Sequence, residues 1–455
     1  MTFYFTGSLY SMNKEIISKL ILYFLIPLQL LFFTFLVPPF QKPDEQPHFE
    51  KSLLISKGYL FCQKKSDNTV KLEKRYIDFI KSPYLDLLTH KRNAKLPLPV
   101  FSKGLFSNDQ SNKKVDFNID HLCSFPIISY LPQAFTLTIT SLFKLNPVLS
   151  LYFGRLAMSI LGYFWFLYLY KKIADDYKLI LLFTFAIPMT LHQISSFSYD
   201  ALHIMFALTF FVLIINYRLK KKLDFRHYFK LFFVLFLFLW SKKIGYETFF
   251  LFLFLIPFQV KPIIISSLVF IPFYFLSKLT GFYDLHSSLS NQVINPLNQL
   301  SFLLSNPINI IKVVAITTIE RLGFYLQSLI GIFGWLEYGL DPLSYFLYGL
   351  FFIYLLMNIH LPRRYILCKK KNFLLFGTLL ISYIYIILLA YVFNTTVGVS
   401  SAHGVQGRYF IPFLPFIILF IIQIKDYPVF QKILYCLMIL FLIFSTFYSI
   451  YARYY

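Results

Sequence analysis

Residues 16–50 read IISKLILYFLIPLQLLFFTFLVPPFQKPDEQPHFE, and the first part of this stretch sets the fold. Ile16 to Val37 is roughly twenty apolar residues, long enough to cross a bilayer as a helix. Pro38 and Pro39 then stop that helix, because proline lacks the backbone N–H and clashes with the preceding turn. Next, at the membrane surface, comes Pro43-Asp44-Glu45-Gln46-Pro47-His48-Phe49-Glu50, with two adjacent carboxylates and an imidazole. Paired carboxylates in that place suit acid–base chemistry on a lipid-borne substrate. A solvated loop that is merely acidic would read the same from these residues alone.

The rest of the chain agrees with a membrane setting. Of 455 residues, 57% are hydrophobic and 14% charged, with a mean hydropathy of +0.63. A soluble protein of this length does not have that composition. The net charge of +22 does not point to nucleic acid, because the lysines cluster between apolar runs, where cytoplasmic loops carry them. The chain holds 57 Phe and 34 Tyr, and Lys far outnumbers Arg, as codon bias in an AT-rich genome would produce. Each Arg is therefore more informative than each Lys. Lys14 and Lys19 precede the first span and no small-residue cleavage site comes after it, so it reads as an uncleaved signal anchor. Cys62 and Cys123 share the long loop after it and could pair if that loop is extracytoplasmic. Cys368 and Cys436 read as a free cytoplasmic thiol and a lipid-embedded one, and no Cys/His spacing resembles a zinc site.

Apolar runs of helical length recur at about 16–37, 149–170, 179–198, 201–217, 229–241, 245–260, 262–279, 342–359, 373–393, 409–424 and 432–451. The expectation is an all-α polytopic membrane protein of about eleven transmembrane helices, one integral domain over 1–455. Lys171-Lys172, Lys220-Lys221-Lys222 with Arg226, Arg363-Arg364, Lys369-Lys370-Lys371, Lys425 and Lys432 all come after even-numbered runs. All are cytoplasmic if the N-terminus is inside. Segment 38–148 is then a large extracytoplasmic loop and 280–341 a second one. Phe125 to Phe143 is nearly long enough to span, but its prolines, Gln133 and hydroxyl residues favour an interfacial or re-entrant helix. Ile308 to Ile332, with Lys312, Glu320 and Arg321, reads the same way.

This topology brings distant polar residues to one face. Asp44, Glu45 and His48 lie in the first loop; Gln193, Tyr199 and Asp200 bracket the third and fourth runs; Lys242, Lys243 and Tyr246 lie between the fifth and sixth. Trp335, Glu337 and Asp341 lie in Gly334-Trp335-Leu336-Glu337-Tyr338-Gly339-Leu340-Asp341, and Gln406 and Arg408 in His403-Gly404-Val405-Gln406-Gly407-Arg408-Tyr409-Phe410. Ionisable groups at membrane depth are costly and are usually functional or paired. Each has an ordinary explanation alone: Asp200 as a helix cap, Trp335 as a belt aromatic, Arg408 as a headgroup contact. Arg155, near the outer end of the second run, could snorkel or pair with an acid of the first loop.

The chain resembles the bacterial membrane proteins of the domain of unknown function 2142 family, grouped with the GT-C glycosyltransferases. The resemblance covers nearly the whole length. It rests on Pro-Asp-Glu-Gln-Pro-His-Phe at 43–49, Tyr130-Leu131-Pro132, Gln193 through Asp200, Lys243-Ile244-Gly245-Tyr246, Gly334-Trp335 through Leu340, and Gln406-Gly407-Arg408-Tyr409-Phe410. It implies a GT-C-like fold, a bacterial inner-membrane location, and transfer of a sugar from a polyprenyl-phosphate carrier at the outer face. An acidic residue of the first outer loop would then act in catalysis. Tyr199 before Asp200, and Gly245 where relatives often carry proline, depart from the family pattern.

The leading expectation is an inverting glycosyltransferase. Asp44, with Glu45 beside it, supplies the base for the acceptor hydroxyl. Arg408, with Lys242 and Lys243, takes the donor phosphate, which needs a cation rather than a general acid. Gly407 would let the backbone approach closely. His48, Gln193, Asp200, Tyr246, Trp335, Glu337 and Gln406 would line the substrate. Its partners would be the polyprenyl-phosphate sugar, a glycan or lipid acceptor and membrane lipids. The residues demand no cofactor, although a divalent metal is compatible with them. A transporter of lipid-linked glycans would show charges at mid-span and paired discontinuous helices; few mid-span charges and no internal repeat are evident. A non-catalytic scaffold would scatter its polar residues over both faces.

Overall fold

The computed structural model describes residues 19–60, 68–82, 91, 93–97, 113–242, 245–257, 259–268, 270–271, 275, 294–358, 366–422 and 433–455. Lys243 and Cys62 lie outside these residues, as does part of the 262–279 run. The protein is a mostly helical membrane protein. Among the described residues, four helices are long and apolar enough to cross a bilayer: Pro147–Lys172, Tyr199–Arg218, Ile308–Gly331 and Lys369–Asn394. A fifth span results if the bent pair Asp175–Ala186 and Pro188–Ile194 is counted together. Ile21–Phe35, Pro342–Ile353 and Gly407–Ile422 are shorter apolar helices.

Local sequence explains the breaks. In the first run Pro27 cannot donate, and the helix opens into a π-turn over Ile21–Leu25 before continuing as Ile26–Phe35. The third run bends by 69° because Pro188 forces Ile187 into an extended conformation (φ −61°, ψ 131°). The sixth run is not an α-helix: Glu247–Leu255 is a 3-10 helix of nine residues. At about 2 Å rise per residue, it falls short of a bilayer. Leu131–Leu142 has twelve residues and is too short to cross at about 1.5 Å per residue. It buries Gln133, Ala134, Leu137 and Thr140 and exposes Leu131, Phe135, Ile139 and Leu142. That largely apolar exposed face suits a helix lying against lipid.

Ile308–Gly331 differs from the interfacial piece expected there, being one unbroken helix of 24 residues. Both of its halves nevertheless bind the same connecting segment. Thr317 Oγ1 accepts from the Ala402 amide at 2.8 Å, and Ser328 Oγ from the Gly407 amide at 2.8 Å. The first loop also holds a small antiparallel sheet, Thr69–Glu73 with Lys114–Asn118, in which Lys71 faces Asp116. The period-two alternation of Thr-Val-Lys-Leu-Glu and Lys-Val-Asp-Phe-Asn carries this pairing. Cys123, in the same loop, is disulfide-bonded, which fits an oxidising compartment.

Hydrogen bonds sort the helix ends into two groups. Asn216 links Lys172 and Ala174 at one end, where Lys371 also donates to the Leu255 carbonyl at 3.1 Å. Asp44, Asp200, Lys242 and Arg408 gather at the other. The ends carrying Lys172 and Lys371 thus share one side, and Asp44 lies at the opposite one. A cysteine introduced at position 221 should react with a membrane-impermeant thiol reagent only from the cytoplasmic side. Labelling only from outside would reverse the orientation.

Candidate functional site

The first loop is pinned before it is functional. Glu45 and Arg155 are both fully buried and ion-paired. The Arg155 Nε donates to Glu45 Oε1 at 2.7 Å, and its Nη2 donates to Oε2. The same guanidinium donates to the carbonyls of Thr34 (3.2 Å), Val37 and Pro38 (3.0 Å). These carbonyls lie at the proline-terminated end of the first helix, where C=O groups lose intrahelical partners. Glu45 also accepts from the Phe40 and Phe197 amides at 3.1 and 3.4 Å. One ion pair therefore ties the end of the first helix, the start of Glu45–Ser56 and the turn at Phe197 together. Lys42, also fully buried, adds a second tie through the carbonyl and Oγ of Ser195.

Asp44 stands at the edge of this assembly in the left-handed conformation, φ +56°, which Asp tolerates better than most residues. Its side chain is 46% exposed, while that of Arg408 is 4% exposed. The Arg408 Nη2 donates to Asp44 Oδ2 at 3.1 Å. Behind the pair lies Asp200, with Oδ2 3.8 Å from Arg408 Nε and Oδ1 accepting from Lys242 Nζ at 2.6 Å. Two carboxylates and two cations thus alternate from the surface inward. Three tyrosines frame Lys242, whose Nζ is 4.3 Å from the Tyr409 ring centroid, 5.1 Å from Tyr199 and 5.6 Å from Tyr246. Cation–π attraction of this kind holds an ammonium without consuming its donors.

The elements that deliver these groups are helix ends. Ser198 caps Tyr199–Arg218 by accepting from the Asp200 amide at 3.0 Å. Asp200 is therefore not the cap but a first-turn residue free to pair. Arg408 opens the 3-10 segment Gly407–Phe413. Gly407 is required there, since a Cβ would lie 2.1 Å from the Tyr325 carbonyl and 2.2 Å from the Leu329 nitrogen. The close backbone approach at Gly407 is thus to helix Ile308–Gly331.

The other expected residues fall into two groups. Tyr246 joins the site and donates to the Tyr409 carbonyl at 3.1 Å. Gln406 precedes Arg408, and its Oε1 is buried without a partner. Trp335, Glu337 and Gln193 have partners of their own: Trp335 donates to the Phe40 carbonyl at 3.0 Å, and Glu337 pairs with Arg453 at 2.7 Å. Gln193 is buried against Met189. Tyr199, expected at this face without a role, and Tyr409, not expected, each sit one position from a charged residue, which was the available signal. Among the described residues, no three His, Cys, Asp or Glu side chains come together as metal ligands.

His48 is buried, its Nδ1 2.7 Å from the Tyr130 hydroxyl and its ring edge-on to Tyr199. Burial lowers its pKa from 6.5 to about 4, with Asp44 and Asp200 pulling the other way. The unfolded chain then binds more protons than the folded one between those values, so stability falls as pH drops through this window. The full effect is about 3 kcal/mol at about 1.4 kcal/mol per pKa unit. Melting of the detergent-solubilised protein should drop more between pH 7 and pH 5 than melting of His48→Gln. Equal slopes would remove His48 as the cause.

The helices and this charged cluster define a polytopic membrane protein with a buried ion-pair network opening at one end of its bundle. The chain belongs to the family described as predicted membrane proteins with domain of unknown function 2142, which matches residues 28–417. No curated protein and no solved structure matches it. The matched span takes in both Asp44 and Arg408.

Proposed function

We propose that the protein is an inverting glycosyltransferase of the GT-C type. It takes a sugar from a polyprenyl-phosphate carrier and passes it to a cell-envelope glycan or lipid at the outer face of a bacterial inner membrane, with the N-terminus cytoplasmic. The observation that carries this reading is the Asp44–Arg408 pair, a half-exposed carboxylate 3.1 Å from a buried guanidinium. These residues are 364 positions apart in sequence and meet where an acceptor hydroxyl and a lipid phosphate would both arrive.

The chemistry rests on the two charges. The acceptor oxygen attacks the anomeric carbon from the face opposite the phosphate, its proton passes to Asp44, and the carbon–oxygen bond to the phosphate breaks. The leaving polyprenyl phosphate keeps the bonding electrons, and its growing charge falls on Arg408 and on Lys242 behind it. Arg408 engages one oxygen of Asp44. A donor phosphate competes for the same guanidinium, so donor binding frees the carboxylate at the moment it is needed. Glu45, buried in its pair with Arg155, positions Asp44 and does not meet the acceptor.

The test is to incubate the purified protein with synthetic polyprenyl-phosphate sugars and membrane extract as acceptor. Free polyprenyl phosphate should appear with a product of inverted anomeric configuration. Movement of intact donor across vesicles without cleavage would favour a transporter and end the transferase reading.

A further inference from the structure

We propose that the groove between Pro147–Lys172 and Tyr199–Arg218, at the end of the bundle away from Asp44, holds an anionic phospholipid. Its acyl chain lies between the helices and its phosphate rests on Lys172, Lys220 and Lys230. The groove encloses about 680 Å³, within the usual size of a small-molecule site. Its walls are apolar, formed largely by Phe164, Trp165, Val212 and Leu213. The one polar edge among these is satisfied internally, since the Trp165 indole N–H donates to Thr209 Oγ1 at 3.0 Å.

The charge sits at one end only. Lys172, Lys220 and Lys230 border the groove, one from each of two helices and one from the loop between Tyr199–Arg218 and Phe225–Ser241. Among the described residues, neither Lys172 nor Lys230 is ion-paired with a carboxylate. Lys220 donates to His227 Nε2 at 2.5 Å, while the nearby carboxylate of Asp224 is engaged by the other nitrogen of His227. Basic pockets between helices at the cytoplasmic surface suit phosphate headgroups.

A lipid fits this groove better than the alternatives. Phe164 and Tyr168 are 62% and 52% exposed, so the groove opens sideways toward hydrocarbon. A peptide laid along it would leave backbone N–H and C=O groups facing apolar walls, at a cost of several kcal/mol per group. A free anion would use the lysines and leave the walls empty. The helix between the two sites has twenty residues, about 30 Å at 1.5 Å per residue. The lipid site is therefore separate from the outer-face chemistry and does not depend on it.

Native mass spectrometry of the full-length protein titrated with palmitoyl-oleoyl phosphatidylglycerol tests this, with phosphatidylcholine of the same chains as the comparison lipid. The wild type should retain phosphatidylglycerol in preference to phosphatidylcholine. The triple variant Lys172→Ala, Lys220→Ala, Lys230→Ala should bind it about a hundredfold more weakly, at about fivefold per lysine near an anionic headgroup. All three side chains are exposed, so the fold should survive. The matched triple Lys171→Ala, Lys221→Ala, Lys222→Ala removes the same charge outside the groove and should change binding less than threefold. Equal weakening by both triples, or equal retention of the two lipids, would overturn the proposal.

Discussion

Replacing Arg155 by Ala should remove most folded protein from the membrane. Arg155 and Glu45 are both fully buried, so the substitution leaves a carboxylate without a counter-charge in a low-dielectric interior. Removing one partner of such a pair costs about 3–5 kcal/mol. Three carbonyls at the end of the first helix also lose their donor, which adds about 1–3 kcal/mol for each that finds no replacement. A typical domain has only about 5–15 kcal/mol to lose. The expected result is a collapse in the amount of monodisperse, detergent-extracted protein. Arg155→Met combined with Glu45→Leu should recover part of it, because the uncompensated charge is gone while the volume stays similar. If Arg155→Ala melts within a degree or two of the wild type, the pair is not what holds the first loop.

That pair also marks how far the sequence could be read. Residues 16–50 suggested a spanning helix, its proline stop and an acidic surface segment; the structure has a shorter apolar helix, Ile21–Phe35, ending just before Pro38, but buries Glu45, His48 and Glu50 of the segment that follows. The two adjacent carboxylates looked alike, yet they diverge completely: Asp44 is half exposed, Glu45 fully buried. Neighbouring residues at the start of a helix point in different directions, and only the packing of Pro147–Lys172 decides which one is covered. The choice for Arg155 between snorkelling and pairing was open for the same reason. Lys42 and its bond to Ser195 had no sequence signal, since a Lys after a membrane helix ordinarily reads as a surface charge.

Span counting fared differently along the chain. Uninterrupted runs such as 149–170 and 373–393 correspond to long helices, because nothing in them competes with helical hydrogen bonding. Where proline or glycine intervenes, the run keeps its hydropathy but loses its continuity. Pro188 bends one helix, and the segment after Gly245, whose φ is +120°, winds as a 3-10 helix. Hydropathy measures transfer from water and is blind to these breaks. The breaks also place the site. The 3-10 segment at Gly407–Phe413 and the extended turn before Ser198 are what bring Arg408 and Asp200 to the end of the bundle.

Asp44→Asn should abolish sugar transfer with little change in melting. The amide keeps the shape of the side chain and can still accept from Arg408 through its oxygen, but it cannot take a proton from an acceptor hydroxyl at neutral pH. A loss of about 10²–10⁴ in rate is the ordinary weight of a positioned acid–base group. Because Asp44 is half exposed, its stability contribution is small, which separates it from Glu45. Arg408 should behave differently. Arg408→Lys keeps the charge but loses the planar fork, so turnover falls while donor still binds. Arg408→Ala should weaken donor binding and turnover together, because the phosphate gains charge as it leaves. It should also destabilise the fold, since Asp200 and Asp44 both lose a counter-charge. Melting must therefore be measured beside the kinetics, and Arg408→Lys, which keeps that charge, is the cleaner comparison. Asp44→Asn with normal turnover would take the base away from Asp44. Normal turnover of Arg408→Lys at every donor concentration would show that the planar fork does not hold the phosphate, and would leave the pair as a closure of the first loop rather than a site of chemistry.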